Sequence, residues 1–313
     1  MNVPVPPIFL YEYDYSKYEV MDGLQRLTAI NDFYRDKYEL KGLVQWSELN
    51  GRRYSNLPEK VREGIDRRYL SSVILLKETA KTPEDALRLK QLVFERINSG
   101  GERLTPQEAR NAIYDGPLNR LCLRLSKAAP LCRLWGIPVP APEELAGNYP
   151  TDERAEHEAF RRMEDVELVL RFFGHRQRKL QKGISLSRYL DMYLQSGNQF
   201  AVNTLSQLET AFTDTIQLVE DAFGPQAFWL IRQRGNEAKW SWLERAMTTV
   251  YDPMMYVMSG FLPQADVVRA SAARLQERVA SFYQEHYGAF EGRNVNPSAL
   301  TDVSKSLKHS SPA

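Results

Sequence analysis

The chain has 313 residues, 43% hydrophobic and 26% charged, the composition of a globular protein with one large domain or two ordinary ones. Its formal net charge of +1 excludes a protein held on nucleic acid by bulk electrostatics, so a DNA contact would have to come from a local patch or a partner. Two cysteines, no apolar run approaching the ~20 residues of a membrane span and no signal peptide at the start argue against a disulfide framework and a membrane protein, and point to the cytoplasm.

Residues 8–11 and 18–21 are short apolar-aromatic runs joined by a polar link, as two strands would be. Asp22-Gly23 interrupts that pattern. From Gln25 to Tyr34 the apolar positions Leu27, Ile30, Phe33 and Tyr34 recur at helical spacing, which predicts strand, glycine turn, helix. Leu57-Pro58 opens a second helix with Val61 and Ile65 on one face, ending near Arg67-Arg68. Residues 69–76 are apolar and partly β-branched, and a buried strand is expected there. Thr82-Pro83-Glu84-Asp85 starts a helix carrying Leu89, Leu92, Val93 and Ile97 and stopping at Ser99-Gly100-Gly101. Thr105-Pro106-Gln107-Glu108 is another start, with glutamate in the capping-box place.

Beyond Ala112 the β signal fades. Tyr114-Asp115-Gly116-Pro117 is a turn, and residues 130–150 form a proline-rich connector. Long amphipathic helices are predicted over roughly 152–173, 186–195, 202–223, 240–258 and 264–287. The expected fold is α+β and mostly helical: a small α/β head (1–115), a large α-helical domain (116–290) and a polar C-terminal tail (291–313).

Two stretches hold residues suited to chemistry. In the strand–turn–helix unit, Gly23 lets the backbone approach a ligand, and free amides at the helix start attract phosphate. Arg26 offers a planar fork for phosphate oxygens, Asp22 suits Mg²⁺ or a ribose hydroxyl, and Gln25 suits orienting a water or a phosphate oxygen. Taken alone, Asp-Gly is also a common plain turn and Arg26 an ordinary solvated helix residue. In the second stretch, 94–112, capping explains Ser99, the glycines, Thr105 and Glu108; it leaves Arg96, Asn98, Arg110 and Asn111 without a role.

Met21-Asp22-Gly23-Leu24-Gln25-Arg26-Leu27-Thr28 resembles the DGQQR signature of the GmrSD-type restriction endonuclease N-terminal domain, whose head is related to ParB and sulfiredoxin. Phe94 to Ala112 resembles that family's second signature, F-x-R-x-N followed by a glycine turn and an L-T-x-x-E-x-R-N helix, and Asp165 to Phe173 resembles its helical middle region. The resemblance implies nucleotide binding and NTP hydrolysis, with Mg²⁺, coupled to cleavage of modified or foreign DNA. Carried over by position, Asp22, Gln25 and Arg26 would be catalytic, and Gly23, Thr28, Arg96 and Asn98 would bind the nucleotide; no separate metal-ligand set is implied. Leu24 stands where the family has glutamine, which removes one hydrogen-bonding side chain from the turn; leucine can still pack inward, so the fold is expected to survive better than the activity. Family members carry several tens of residues, with a strand and an arginine/glutamine motif, ahead of the segment resembling Pro6 to Leu10, so either the start was placed too late, or the chain is a fragment, or the pocket is incomplete. No Asp-His pair of an HNH nuclease occurs, so cutting is expected to need a nuclease on another chain. A homo-oligomer is compatible with this reading. The rival is a non-catalytic interaction or DNA-binding subunit with a degenerate pocket; a nuclease within the head ranks last.

Other clusters have blander readings. Arg171, His175, Arg176, Arg178, Lys179 and Lys182 form a basic cluster, read as a solvated helix end before a DNA contact. Trp229, Trp240, Trp242 and Tyr251 read as core before base-stacking residues. The carboxylates between Asp152 and Glu167, interleaved with arginines, read as a salt-bridged helix face, and Cys122 as buried.

Overall fold

In the computed structural model, which describes residues 5–76, 82, 85–86, 89, 92–93, 104–147, 149–177, 184–233 and 240–290, the chain divides into two units, Met1–Arg103 and Leu104–Ala313. The first unit is built on β1 (Ile8–Asp14), the middle strand of a three-stranded sheet with β2 (Lys17–Asp22) antiparallel on one side and β3 (Ser72–Leu75) parallel on the other. A tight turn at Tyr15-Ser16 joins β1 to β2. The Asp14 carboxylate accepts the Tyr15 amide at 3.0 Å and pairs with Lys17 at 2.9 Å, while Glu12 accepts the Ser16 amide. A parallel partner for β1 requires a long crossover. That crossover holds α1 (Leu24–Tyr34) and α2 (Glu59–Asp66).

The helical expectations hold for α1 and α2, and most of the third helix, expected from Thr82 to Ile97, lies outside the described residues. Phe33 of α1, with Leu49 and Leu57, forms a small core on which Val61 and Ile65 of α2 pack. β3 differs from the expectation: Val73 and Ile74 are exposed, although they point to opposite faces of the sheet, so among the described residues neither face is fully covered there. The Thr82 cap is present, its hydroxyl accepting the Asp85 amide at 3.1 Å; the predicted stop at Ser99-Gly100-Gly101 lies outside the described residues.

The second unit is mostly helical, in keeping with the α+β reading of a small α/β head and a helical body. It begins with α3 (Pro106–Ile113), held by the predicted capping box: Thr105 Oγ1 accepts the Glu108 amide at 3.1 Å and Glu108 accepts the Thr105 amide at 2.6 Å. α4 (Pro117–Leu125) is capped from a distant helix instead, since Asn198 Oδ1 accepts the Leu118 and Asn119 amides at 3.0 and 3.2 Å. The proline-rich connector is in fact core. It forms α5 (Ala129–Trp135), with Leu131, Cys132 and Leu134 buried, and a further helical turn at Pro142–Leu145. Pro130 and Pro142 sit in first turns, where a missing amide hydrogen breaks nothing, while Pro138, Pro140 and Pro150 lie between helices.

Three predicted helices are divided. The span 152–173 becomes α6 (Asp152–Glu156), a short turn at Glu158–Arg161 and α7 (Glu164–Gln177), with the chain turned at Met163 (φ 55°). α8 (Leu186–Gly197) and α9 (Val202–Phe223) agree with expectation. Residues 240–243 are a strand: β4 (Leu230–Gln233) pairs antiparallel with β5 (Trp240–Leu243), and α10 (Thr248–Gly260) starts only after them. The last span breaks at Ser271 into α11 (Ala265–Ala270) and α12 (Ala272–Glu285). The core lies where α4, α7 and α10 meet α9, with Phe172, Phe173 and Phe212 in edge-to-face and tilted contact at 5.4–6.2 Å. Among the described residues, no helix is long and apolar enough to cross a membrane.

Candidate functional site

Asp22 is the last residue of β2 and lies opposite Phe9 of β1. The chain turns into α1 through Gly23, at φ 95° and ψ 12°, a left-handed conformation that favours glycine. A Cβ on Gly23 would stand 2.6 Å from Ile8 Cγ2 and 3.2 Å from an Arg26 guanidinium nitrogen, so close packing demands glycine as much as the dihedral does. Gly23→Ala is therefore expected to destabilise the first unit by about 2 kcal/mol, the sum of a left-handed alanine and a displaced Ile8. Chemical unfolding beside the parent checks this, and a loss below about 0.5 kcal/mol contradicts it.

The first intrahelical bond runs from the Leu27 amide to the Gly23 carbonyl at 2.9 Å. Ahead of it, the Leu24, Gln25 and Arg26 amides form the electropositive start of α1, and neither a side-chain cap nor an acidic residue in the first turn covers them. The contrast with α3, where a threonine and a glutamate close the same kind of end, is a difference of sequence.

Arg26 is neither solvated nor free. Its Nη2 donates to Asp22 Oδ2 at 2.5 Å, and its Nη1 donates to the Pro6 and Pro7 carbonyls at 2.9 and 3.0 Å. The guanidinium thus ties the segment before β1 to the start of α1, with its side chain 27% exposed. Gln25 and Thr28 are exposed, and their three-residue spacing on α1 puts them side by side. Leu24 does not pack inward; it is 64% exposed. At the first position of a helix that begins on a sheet edge, its side chain has no apolar surface to meet. Asp22, Gly23, Gln25, Arg26 and Thr28 are therefore gathered in about a turn and a half of chain, while Arg96 and Asn98 lie outside the described residues.

The other half of the second stretch resolves into structure. Arg110, 2% exposed, donates through Nε to Asp191 at 2.7 Å, through Nη1 to Glu167 at 3.0 Å and Gln107 at 3.2 Å, and through Nη2 to the Ser187 hydroxyl at 2.9 Å and its carbonyl at 3.2 Å. Asn111 accepts from Asn119 at 2.9 Å. Sequence reasoning left both residues without a role because their partners come from distant helices.

From Glu167 the charges continue inward. Its second oxygen meets Arg171 at 3.4 Å; Arg171 donates to both oxygens of Asp252, and His175 Nε2 lies 3.3 Å from the same carboxylate. The basic cluster is thereby corrected: Arg171 and His175 are buried, Arg176 stands over the Phe172 ring, and 178–183 lie outside the described residues. The carboxylate-rich face is corrected as well. Asp165 is buried and lies 3.7 Å from Arg154, a fully buried guanidinium that also meets Glu144 at 3.3 Å and the Phe160 ring. Tyr251 is core, donating to the Leu168 carbonyl at 2.9 Å. Cys122 is buried, and burial pushes its thiol up, away from nucleophilic use.

The decisive comparison concerns the segment that contains both stretches. Residues 1–114 match the family model described as GmrSD restriction endonuclease, N-terminal domain. The match covers 114 of the 313 residues. No curated protein and no solved structure matches the chain. The matched segment runs past the division between the two units: its last helix, α3, belongs to the second unit, where Arg110 is anchored.

Proposed function

We propose that residues 22–28 hold the phosphates of a nucleoside triphosphate, and that the chain hydrolyses it, with Mg²⁺, as part of a DNA restriction or phage-defence system whose nuclease is carried by another chain or domain. The observation that supports this reading best is the uncapped start of α1, entered through a left-handed glycine and carrying an arginine at its third residue. Successive amides, the helix dipole and a guanidinium together form an anion-binding corner. The family match supplies the restriction context.

Each side chain then has a task. Arg26 is neutralised by Asp22, and a phosphate group would compete with that carboxylate for Nη2 while the two proline carbonyls keep the guanidinium in place. Asp22, partly exposed, would then be available to a magnesium ion or a ribose hydroxyl. Among the described residues no group of three or more His, Cys, Asp or Glu is placed to hold a metal. Mg²⁺ takes one or two protein carboxylates together with phosphate oxygens, so Asp22 beside a nucleotide fits it. When bound, the ion would neutralise charge on the phosphates. Gln25 would orient the attacking water, and the Thr28 hydroxyl would add a donor one turn along.

A second reading, a non-catalytic interaction subunit, is favoured by Leu24, an exposed apolar side chain at the mouth of the turn. Titration with ATP, GTP and CTP in Mg²⁺ tests the site. Arg26→Ala removes a charge-assisted contact of about 1.5–3 kcal/mol, so affinity should fall roughly 10–100-fold. Equal affinities in parent and variant would remove Arg26 from the site. Phosphate release measured on the same samples separates the readings: binding with no release favours the interaction subunit.

A further inference from the structure

α10, α11 and α12 enclose a cavity of about 310 Å³ within the second unit, away from the residues assigned above. Met254 and Met258 of α10, Val267 of α11, and Leu275, Val279 and Phe282 of α12 make its wall apolar. This volume is at the lower end of the range of small-molecule sites. At the roughly 30 Å³ per atom of a liquid, it accommodates about ten non-hydrogen atoms.

The polar groups around it include two arginines, a histidine and one acid. Arg274 and Arg278 stand four residues apart on α12, hence on one face, and both line the cavity. Neither forms an ion pair among the described residues. His286 lines it too, its ring 4.8 Å from that of Phe282, and Glu285 is the acid among the lining residues. Tyr283, also in the lining and almost wholly buried, carries a hydroxyl without a hydrogen-bond partner among the described residues. Its ring is fixed by Trp242 at 6.3 Å and Phe290 at 4.9 Å, so the hydroxyl is not free to swing to solvent. A buried phenol lacking an acceptor is complemented by a group that accepts. Two unpaired guanidiniums ask for the same group with a negative charge.

We propose that this cavity binds a compact amphipathic carboxylate, an apolar chain or ring of about ten non-hydrogen atoms bearing one acid group. The apolar part lies among the methionines, Val267 and Phe282. The acid meets Arg274, Arg278 and Tyr283. Methionine suits such a wall because its unbranched thioether adapts to ligands of differing shape.

The probe is decanoate, with decanol as its uncharged counterpart, titrated calorimetrically into the full chain. Expected is one decanoate site per chain, at least tenfold tighter than decanol. Tyr283→Phe, which preserves the ring contacts, should weaken decanoate several-fold. The Arg274→Ala/Arg278→Ala double variant, on exposed positions that leave the core intact, should weaken decanoate about tenfold and leave decanol unchanged. Decanol binding as tightly as decanoate would overturn the proposal, as would full decanoate affinity in the double variant. No decanoate binding would overturn it too, including where light scattering then shows a second copy of the chain covering this face.

Discussion

Replacing Arg110 with alanine is expected to destabilise the second unit by about 3–5 kcal/mol. The side chain is almost wholly buried, and its donors reach Asp191, Glu167, Gln107 and Ser187, drawing α7 and α8 onto α3. Truncation leaves Glu167 with Arg171 as its remaining cation and leaves Asp191 unpaired. Lysine is a poor substitute, because a single ammonium cannot span acceptors arranged for a planar fork. An exposed control is available in Arg124, paired with Glu209 at 2.7 Å but well solvated, where alanine should lose at most about 1 kcal/mol. Urea unfolding of both variants decides the matter; similar losses in the two would refute a structural role for Arg110. Because α3 is the last helix of the segment that matches the family model, the same variant also asks whether that segment depends on the second unit.

The second large effect is a stability optimum near pH 4 in the second unit, set by two buried acids that titrate in opposite directions. For Asp252, burial works against ionisation, but the adjoining Arg171 guanidinium and His175 outweigh it and hold the carboxyl down at about 2. Its unfolded value is 3.8, so its contribution is full above about pH 4 and is lost as pH falls toward 2. For Asp165, burial dominates and pushes the carboxyl up to about 6, although the Val166 amide and Arg154 favour the charged form. The folded state therefore holds this proton more tightly than the unfolded one. Its contribution is full below about pH 4 and is lost as pH rises to 6. Each limb amounts to about 2–3 kcal/mol. Unfolding midpoints between pH 2 and 7 should show Asp165→Asn without the decline from 4 to 6, and Asp252→Asn with a shallower fall below 4. An Asp165→Asn profile parallel to the parent between pH 4 and 6 would contradict this assignment.

Local chemistry was readable where it acts locally. The Thr105–Glu108 box and the full length of α9 followed from caps and 3.6-residue periodicity, because both are fixed by residues within a few positions of each other. The glycine turn before α1 was readable for the same reason. What periodicity missed was decided by partners. Residues 240–243 carry the apolar spacing of a helix, yet pair as β5 because β4 offers a strand edge. The 130–150 stretch looked like a linker by composition, although Pro130 and Pro142 occupy helix starts and Leu131 and Cys132 are core. Arg154 and Arg171 looked like surface charge and Arg110 had no role, since nothing near them in sequence reveals acids arriving from other helices. Arg26 was half legible. Its place beside the turn was evident, but its bonds to two proline carbonyls about twenty residues earlier were not.

Hydrogen–deuterium exchange of the full chain, with and without nucleoside triphosphate and Mg²⁺, tests the phosphate-binding role of the α1 turn most directly. Nucleotide should slow exchange of the Leu24, Gln25 and Arg26 amides in the parent and leave them unchanged in Arg26→Ala. Protection that appears only in the second unit, with these three amides exchanging as before, would contradict it.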